Sequence, residues 1–191
     1  MKKDNFKTVI AGVGGQGLIT LTQLIAESAL VEGSDVRTSE LHGLSQRGGS
    51  VETHIIFGRK VYSPLVGQGE ADLILSLEIL EALRKIHYAD SETAFLINGY
   101  SLPYSGSPSD KEISDMIKKE IKGEKYIVPA SKICNEKLGK EVLSGTYLLG
   151  FAVYNKLIPL KAESVLRAIE RLMPDKYRKI NKEAFKLAQS S

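Results

Sequence analysis

The chain has one cysteine, Cys134, in 191 residues. An internal disulfide is therefore impossible. An iron–sulfur cluster usually needs about four cysteine thiolates, and a zinc ribbon needs several. Neither can be built from this chain alone, so any cluster chemistry it joins must come from a partner. Scarce cysteine also fits a reducing cytosol. Long hydrophobic runs are missing as well, and none nears the ~18 residues that suggest a membrane helix. Net charge is small: 26 basic against 23 acidic residues leaves +3. That excess is too weak to argue for nucleic acid or a membrane surface. Residues 1–5 turn straight into a strand pattern, so no signal peptide is expected and the expected location is cytoplasmic. There is no internal repeat.

What is present is ordinary globular composition, 42% hydrophobic and 26% charged, unlike that of disordered chains. At roughly 150 residues per domain, the length suggests one domain spanning residues 1–191. A chain of this size buries on the order of 70% of its unfolded surface, enough for a hydrophobic core to hold it.

Residues 8–11 form a short apolar run that ends in glycines and reads as a buried strand. Leu18, Leu21, Leu24, Ile25 and Ala29 then recur at helical spacing, and Gly33 is a stop signal. Residues 35–39 read as a second strand, and residues 40–49 as a loop. Residues 50–57 alternate, and Gly58-Arg59-Lys60 suggests a turn into Val61-Tyr62, a hairpin. Residues 72–76 and 94–99 are further strands, with a helix between them on Ile79, Leu80, Leu83 and Ile86. Residues 101–109 hold two prolines and several serines and read as irregular. Residues 110–119 read as a short helix with Ile113, Met116 and Ile117 inward. Residues 126–129 give a last strand, followed by a helix containing Cys134. Residues 143–153 are apolar on almost every side, a buried helix in which Gly145 and Gly150 allow close approach. Val165, Leu166, Ile169 and Leu172 mark an amphipathic helix. The final helix, 175–189, has Tyr177, Ile180, Ala184 and Leu187 on one side and Lys176, Arg178, Lys179, Lys182 and Lys186 on the other. The order points to an α/β fold: a single three-layer α/β/α Rossmann-like domain, its mostly parallel sheet carrying a β-hairpin insertion.

Two segments carry the chemistry. Gly12, Gly14 and Gly17, with Gly15 and Gln16 between, match G-x-G-x-x-G between a strand and a helix. Such a turn lets a ligand approach the backbone, and the helix start offers free N–H groups to an anion. Gln16 adds a side-chain amide at the loop tip. Glu40 stands near the place of the acid that a dinucleotide site uses for a ribose. Three readings stay open: NAD(P) binding, simple packing of a tight turn, and binding of another anion or of a partner's cofactor.

The second segment is Leu41-His42-Gly43-Leu44-Ser45-Gln46-Arg47-Gly48-Gly49-Ser50. Arg47 offers a fork of donors suited to phosphate or carboxylate, and Gly48 and Gly49 let main-chain N–H groups face an anion. Following the second strand, this loop belongs at the same carboxyl edge of the sheet as the glycine turn. Arg47 could instead pair with Glu40 or Glu52. No metal-like spacing surrounds His42 or His54, so both read as ordinary hydrogen-bonded histidines and no metal ligand is assigned. An RNA-binding segment would be repeated, whereas this one is single and lies between strands. Ser45 lacks a nucleophile-elbow context, and Tyr154 and Lys156 stand too close to form a Tyr-x-x-x-Lys pair.

With these residues in place, residues 12–17 together with Ser45-Gln46-Arg47-Gly48-Gly49-Ser50-Val51 resemble the gamma-type subunits of 2-oxoacid:ferredoxin oxidoreductases. The fuller string from Glu40 to Val51 is most similar to the indolepyruvate-type beta subunits of that family. Tyr62-Ser-Pro-Leu65, Ala71-Asp-Leu-Ile74 and residues 77–84 agree with them. Ser144-Gly145-Thr146 departs from the family's usual asparagine-rich start to that helix.

The resemblance implies a subunit with no catalytic residue of its own, inactive alone. A large partner subunit would hold thiamine diphosphate with its magnesium, and the iron–sulfur clusters. The complex would decarboxylate a 2-oxoacid such as indolepyruvate, pass electrons to ferredoxin and form an acyl-coenzyme A. This chain shows no Gly-Asp-Gly segment of the kind thiamine sites use. Its anion-friendly edge (Gly12, Gly14, Gly15, Gln16, Gly17, Glu40, His42, Ser45, Gln46, Arg47, Gly48, Gly49) would face coenzyme A or the partner's active site.

Overall fold

The computed structural model describes residues 4–43, 49–102 and 106–190. One sheet of six strands runs in the order β2-β3-β1-β4-β5-β6. The strands are β1 (Asn5–Val13), β2 (Asp35–His42), β3 (Ser50–Gly58), β4 (Leu73–Ser76), β5 (Ala94–Asn98) and β6 (Lys125–Val128). β1, β4, β5 and β6 pair in parallel. β3 is antiparallel to both β1 and β2, so β2 runs in the same sense as β1.

The hairpin is therefore real, but its partners differ from the sequence expectation. β3 pairs back onto β2, and Val61-Tyr62 forms no strand. The N–H of Val61 donates instead to Asp35 Oδ2 (3.0 Å), while the Val61 side chain is buried against Ile56 and Val66. β2 also continues three residues past Ser39, through Glu40, Leu41 and His42, where the sequence suggested loop. These residues are exposed on an outer strand, so burial leaves no alternation to read.

Helices cover both faces. On one, α1 (Leu18–Val31), α4 (Ala130–Leu138), α5 (Ser144–Tyr154), α6 (Ala162–Leu172) and α7 (Asp175–Leu187) pack on Ile10, Ile55, Leu75 and Leu96. On the other, α2 (Ile79–Arg84) and α3 (Asp110–Glu120) pack on Val9, Ile74, Phe95 and Ile97. The odd/even split along each strand is the period-two pleat. α3 starts on a capping box, Ser109 with Glu112, and buries Ile113 and Ile117, with Ile121 buried at its C-cap. Met116, expected inward, is exposed, because the buried row steps by four. α5 is buried along nearly its whole length. Gly150 is where it meets α7: a Cβ there would lie 2.3 Å from the Phe185 carbonyl oxygen. Gly145 shows only ordinary contacts of 3.6–3.7 Å, to the side chains of Leu21 and Leu77, so no backbone of this chain approaches it closely. On α7 the buried positions are Asn181, Ala184 and Phe185, and Tyr177 is exposed. Part of the basic face of α7 is paired, Arg178 with Asp175 and Lys182 with Glu170.

Candidate functional site

The turn after β1 is held from within. Gly15 and Gly17 have φ of +101° and +83°, values that favour glycine. The N–H of Val13 donates to Gln16 Oε1 (2.9 Å), and Gln16 Nε2 donates to the Leu77 carbonyl (3.3 Å). Both ends of the Gln16 amide thus point into the protein, where the sequence suggested a free amide at the loop tip. The side chain fills the space beside Gly12, whose Cβ would lie 2.7 Å from Gln16 Oε1. Asn98 Nδ2 donates to the same Leu77 carbonyl (3.1 Å) and to Ser131 Oγ (2.8 Å). Two side-chain amides thereby tie the ends of β1, β4 and β5 and the start of α4 at the carboxyl edge.

α1 starts at Leu18 behind an N-cap, Gly17, that offers no side-chain hydrogen bond, and it has no acidic residue in its first turn. Its N-terminal N–H groups and partial positive charge are left for an anion. Opposite stands the end of the hairpin. Glu40 and His42 lie on the α1 face of β2, and His42 pairs across with Val51. Between these walls is a pocket of about 630 Å³ lined by Gly14, Gly15, Gly17, the Leu18–Ile19–Thr20 turn, Glu40, His42 and Val51. The structure therefore brings Gly14, Gly15, Gly17, Glu40 and His42 together. Gly12 and Gln16 lie beneath the turn. Ser45, Gln46, Arg47 and Gly48 lie outside the described residues. Gly49 is bonded to the glycine turn, its carbonyl accepting from the Gly14 N–H (2.9 Å). The chain leaves this edge at Gly43 and returns to it at Gly49.

Two smaller depressions adjoin the first. One, of about 360 Å³, shares Gly17 and Thr20 and reaches Lys140, Thr146 and Tyr177. The other, of about 290 Å³, runs from Gly15 and Gln16 to Tyr100, Ser131, Glu141 and Ser144. It lies by the ends of β1, β4 and β5, where α1 and α2 depart to opposite faces, the usual place for a ligand in such sheets.

Sequence reasoning missed a set of buried charges behind the pocket. Glu78, Glu81 and Lys85 are 2%, 1% and 9% exposed, although charges at helical spacing usually mark a solvated face. Glu78 Oε2 caps α2 by accepting from the Glu81 N–H (2.9 Å), and Glu78 Oε1 accepts from the Leu102 N–H (3.2 Å). Burial raises the Glu78 carboxyl above its ordinary value, against these backbone bonds. Glu52 behaves oppositely: burial pushes it up, but the hydrogen bond and charge of Lys85 bring it below the usual range. Glu52 is thus engaged by Lys85, Tyr88 and His54; the pairing of Arg47 with Glu40 or Glu52 falls outside the described residues. Among the described residues no group of three or more His, Cys, Asp or Glu could hold a metal. No described helix is long and apolar enough to cross a membrane.

Comparison with known proteins adds the family. Residues 7–191 match the family model of pyruvate ferredoxin/flavodoxin oxidoreductase. Indolepyruvate oxidoreductase subunit IorB of Pyrococcus horikoshii is 36% identical over 189 residues, 95% of this chain and 93% of that one. The IorB of Methanothermobacter thermautotrophicus is 32% identical over 190 residues, 95% of each. The pyruvate oxidoreductase subunit PORC of Thermotoga maritima superposes with a TM-score of 0.75 at 20% identity, covering 99% of this chain and 97% of that one. The chain belongs to the pyruvate ferredoxin/flavodoxin oxidoreductase family.

Proposed function

We propose that the chain is the small subunit of an indolepyruvate:ferredoxin oxidoreductase and that its carboxyl-edge pocket receives coenzyme A. The large partner subunit would carry thiamine diphosphate, its magnesium and the iron–sulfur clusters. The complex would cleave the carboxylate from an aryl 2-oxoacid as carbon dioxide, join the acyl group to the coenzyme thiol and pass the electron pair to ferredoxin. This chain would act only within that complex. The indolepyruvate assignment is supported by relatives at 32–36% identity over about 95% of this chain, above the 27–29% shared with pyruvate/ketoisovalerate gamma subunits. Those gamma subunits favour a second reading, in which the substrate is pyruvate, 2-oxoglutarate or a branched-chain 2-oxoacid.

The observation that carries the coenzyme reading is the pocket between Gly14, Gly15, Gly17 and the Glu40–His42 wall. Coenzyme A brings phosphates, a ribose and a long flexible arm. The uncapped start of α1 suits a phosphate, Glu40 suits a ribose hydroxyl, and Leu18, Ile19 and Val51 suit the apolar part of the arm. Ser45, Gln46, Arg47 and Gly48 would complete the phosphate contacts. A related chain, the 2-oxoglutarate:ferredoxin oxidoreductase of Magnetococcus marinus, has been solved with coenzyme A bound, and this chain matches 31% of its length with a TM-score of 0.77.

The test is to express the chain with its candidate partner and assay the purified complex anaerobically with coenzyme A and ferredoxin. Indolepyruvate should give the highest kcat/KM among aryl, branched-chain and short 2-oxoacids, and Arg47→Ala should raise the KM for coenzyme A. Failure of the chains to co-purify, or tight NADH binding by this chain alone, would count against the proposal.

A further inference from the structure

β3 enters the sheet with its side chains sorted by the pleat. Val51 points to the α1 face and lines the coenzyme pocket. Ser50, Glu52 and His54 point to the other face, and each is held there by a polar group. Ser50 Oγ donates to Glu81 Oε2 (2.6 Å). Glu52 Oε2 pairs with Lys85 Nζ (2.5 Å), and Glu52 Oε1 accepts from the Tyr88 hydroxyl (3.0 Å). His54 Nδ1 accepts from the Val66 N–H (3.0 Å), which puts its ring proton on Nε2, 3.2 Å from Glu52 Oε1. Two strand residues advance about 6.6 Å, and four helical residues about 6 Å. Residues 50 and 52 therefore stay in step with residues 81 and 85.

This seam is an expensive way to join a strand to a helix. Buried charges and hydroxyls cost desolvation, and apolar packing of the same shape is often at least as stabilising. The neighbouring even position, Ile56, is packed that way. The polar pairs are confined to the leading half of β3. The first of them, at Ser50, follows Gly49, which is bonded to Gly14 of the glycine turn. Glu81 is also fixed from behind by Arg84 (2.5 Å). The carboxylate is thus locked between a helix and the residue that separates Gly49 from Val51.

We propose that Glu81 is a positioning residue for the coenzyme: through Ser50 it sets Val51 and Gly49 against the glycine turn and so fixes the width of the pocket. The inference rests on the coenzyme A reading of that pocket. Glu81 does not line the pocket and meets β3 from the opposite face. Its effect belongs in binding, so the KM for coenzyme A should move while kcat holds.

The experiment uses the assembled complex with steady-state kinetics in coenzyme A. Glu81→Leu should raise the KM for coenzyme A about fivefold, the worth of roughly one hydrogen bond, with kcat within about twofold. Glu81→Gln keeps an oxygen to accept from Ser50 and should restore most of the loss. Ser50→Ala, a mild change that keeps the fold testable, should raise KM as Glu81→Leu does, and the double variant should rise no further. Thr20→Trp, which fills the pocket directly, is the control. If Thr20→Trp raises the KM and both Ser50→Ala and Glu81→Leu leave it unchanged, the positioning role is overturned. If none of the three moves it, the coenzyme reading fails and the inference with it.

Discussion

The N–H of Gly14 donates to the carbonyl oxygen of Gly49 at 2.9 Å. That bond joins the turn after β1 to the chain entering β3, segments 35 residues apart in sequence. It closes one end of the pocket whose opposite walls are the first turn of α1 and the Glu40–His42 end of β2. The edge is prepared by the backbone and by buried amides, and the charges that brace it lie behind the sheet.

Gly12 should not tolerate a methyl group. Its Cβ would sit 2.7 Å from Gln16 Oε1 and 3.2 Å from Leu77 Cβ. Gln16 could yield only by giving up the Val13 N–H and the Leu77 carbonyl. Gly12→Ala is expected to cost about 1–3 kcal/mol, as overpacking does, and to loosen the turn. Urea unfolding measures the first effect, and amide exchange at residues 12–17 the second.

Gly150→Ala should be worse. The obstacle is the Phe185 carbonyl at 2.3 Å, a backbone atom that cannot rotate away. α7 must then shift from α5, with an expected loss of about 3 kcal/mol or more. Gly145→Ala, with contacts of 3.6 Å or longer, should be far milder. Thermal melts of the two variants side by side check the contrast.

His54 should make the fold sensitive to mild acid. Burial holds its imidazole below the ordinary value of 6.5, although Glu52 pulls it upward. A base depressed in the folded state contributes stability above 6.5 that is lost as pH falls through its folded value. Protonation at Nδ1 also breaks the bond from Val66. Glu52, depressed below 4.5, contributes above 4.5 and loses that contribution as pH falls through its own folded value. Urea midpoints between pH 7.5 and 5 should fall for the wild-type chain and flatten in His54→Gln.

Cys134 should be inert. It is fully buried in α4, and burial pushes its thiol up to about 11. At pH 8 it should react with a disulfide reagent roughly a hundredfold more slowly than a free thiol, and at the normal rate in urea. Rapid labelling of the native chain would contradict this.

Much of this architecture is legible in the sequence because burial writes a period. The apolar runs of β1, β4 and β5 and the fully apolar α5 announce themselves, and glycine marks the turns. β2 ends three residues later than read because Glu40, Leu41 and His42 are solvent-exposed and carry no burial pattern. The hairpin partner is not legible, because a plausible turn at residues 58–60 says nothing of Asp35, which captures the N–H of Val61. Gln16 looked like a ligand contact, since no local pattern tells an amide turned inward from one turned out. No local pattern marks Glu81 and Lys85 as buried, and only tertiary pairing with Ser50 and Glu52 shows it.

The most direct test of the coenzyme A proposal is hydrogen exchange on the assembled complex with and without saturating coenzyme A. The account predicts slower exchange over residues 14–20 and 49–51, with the backbone of α3 unchanged. Saturation by coenzyme A with no protection in either segment would contradict it.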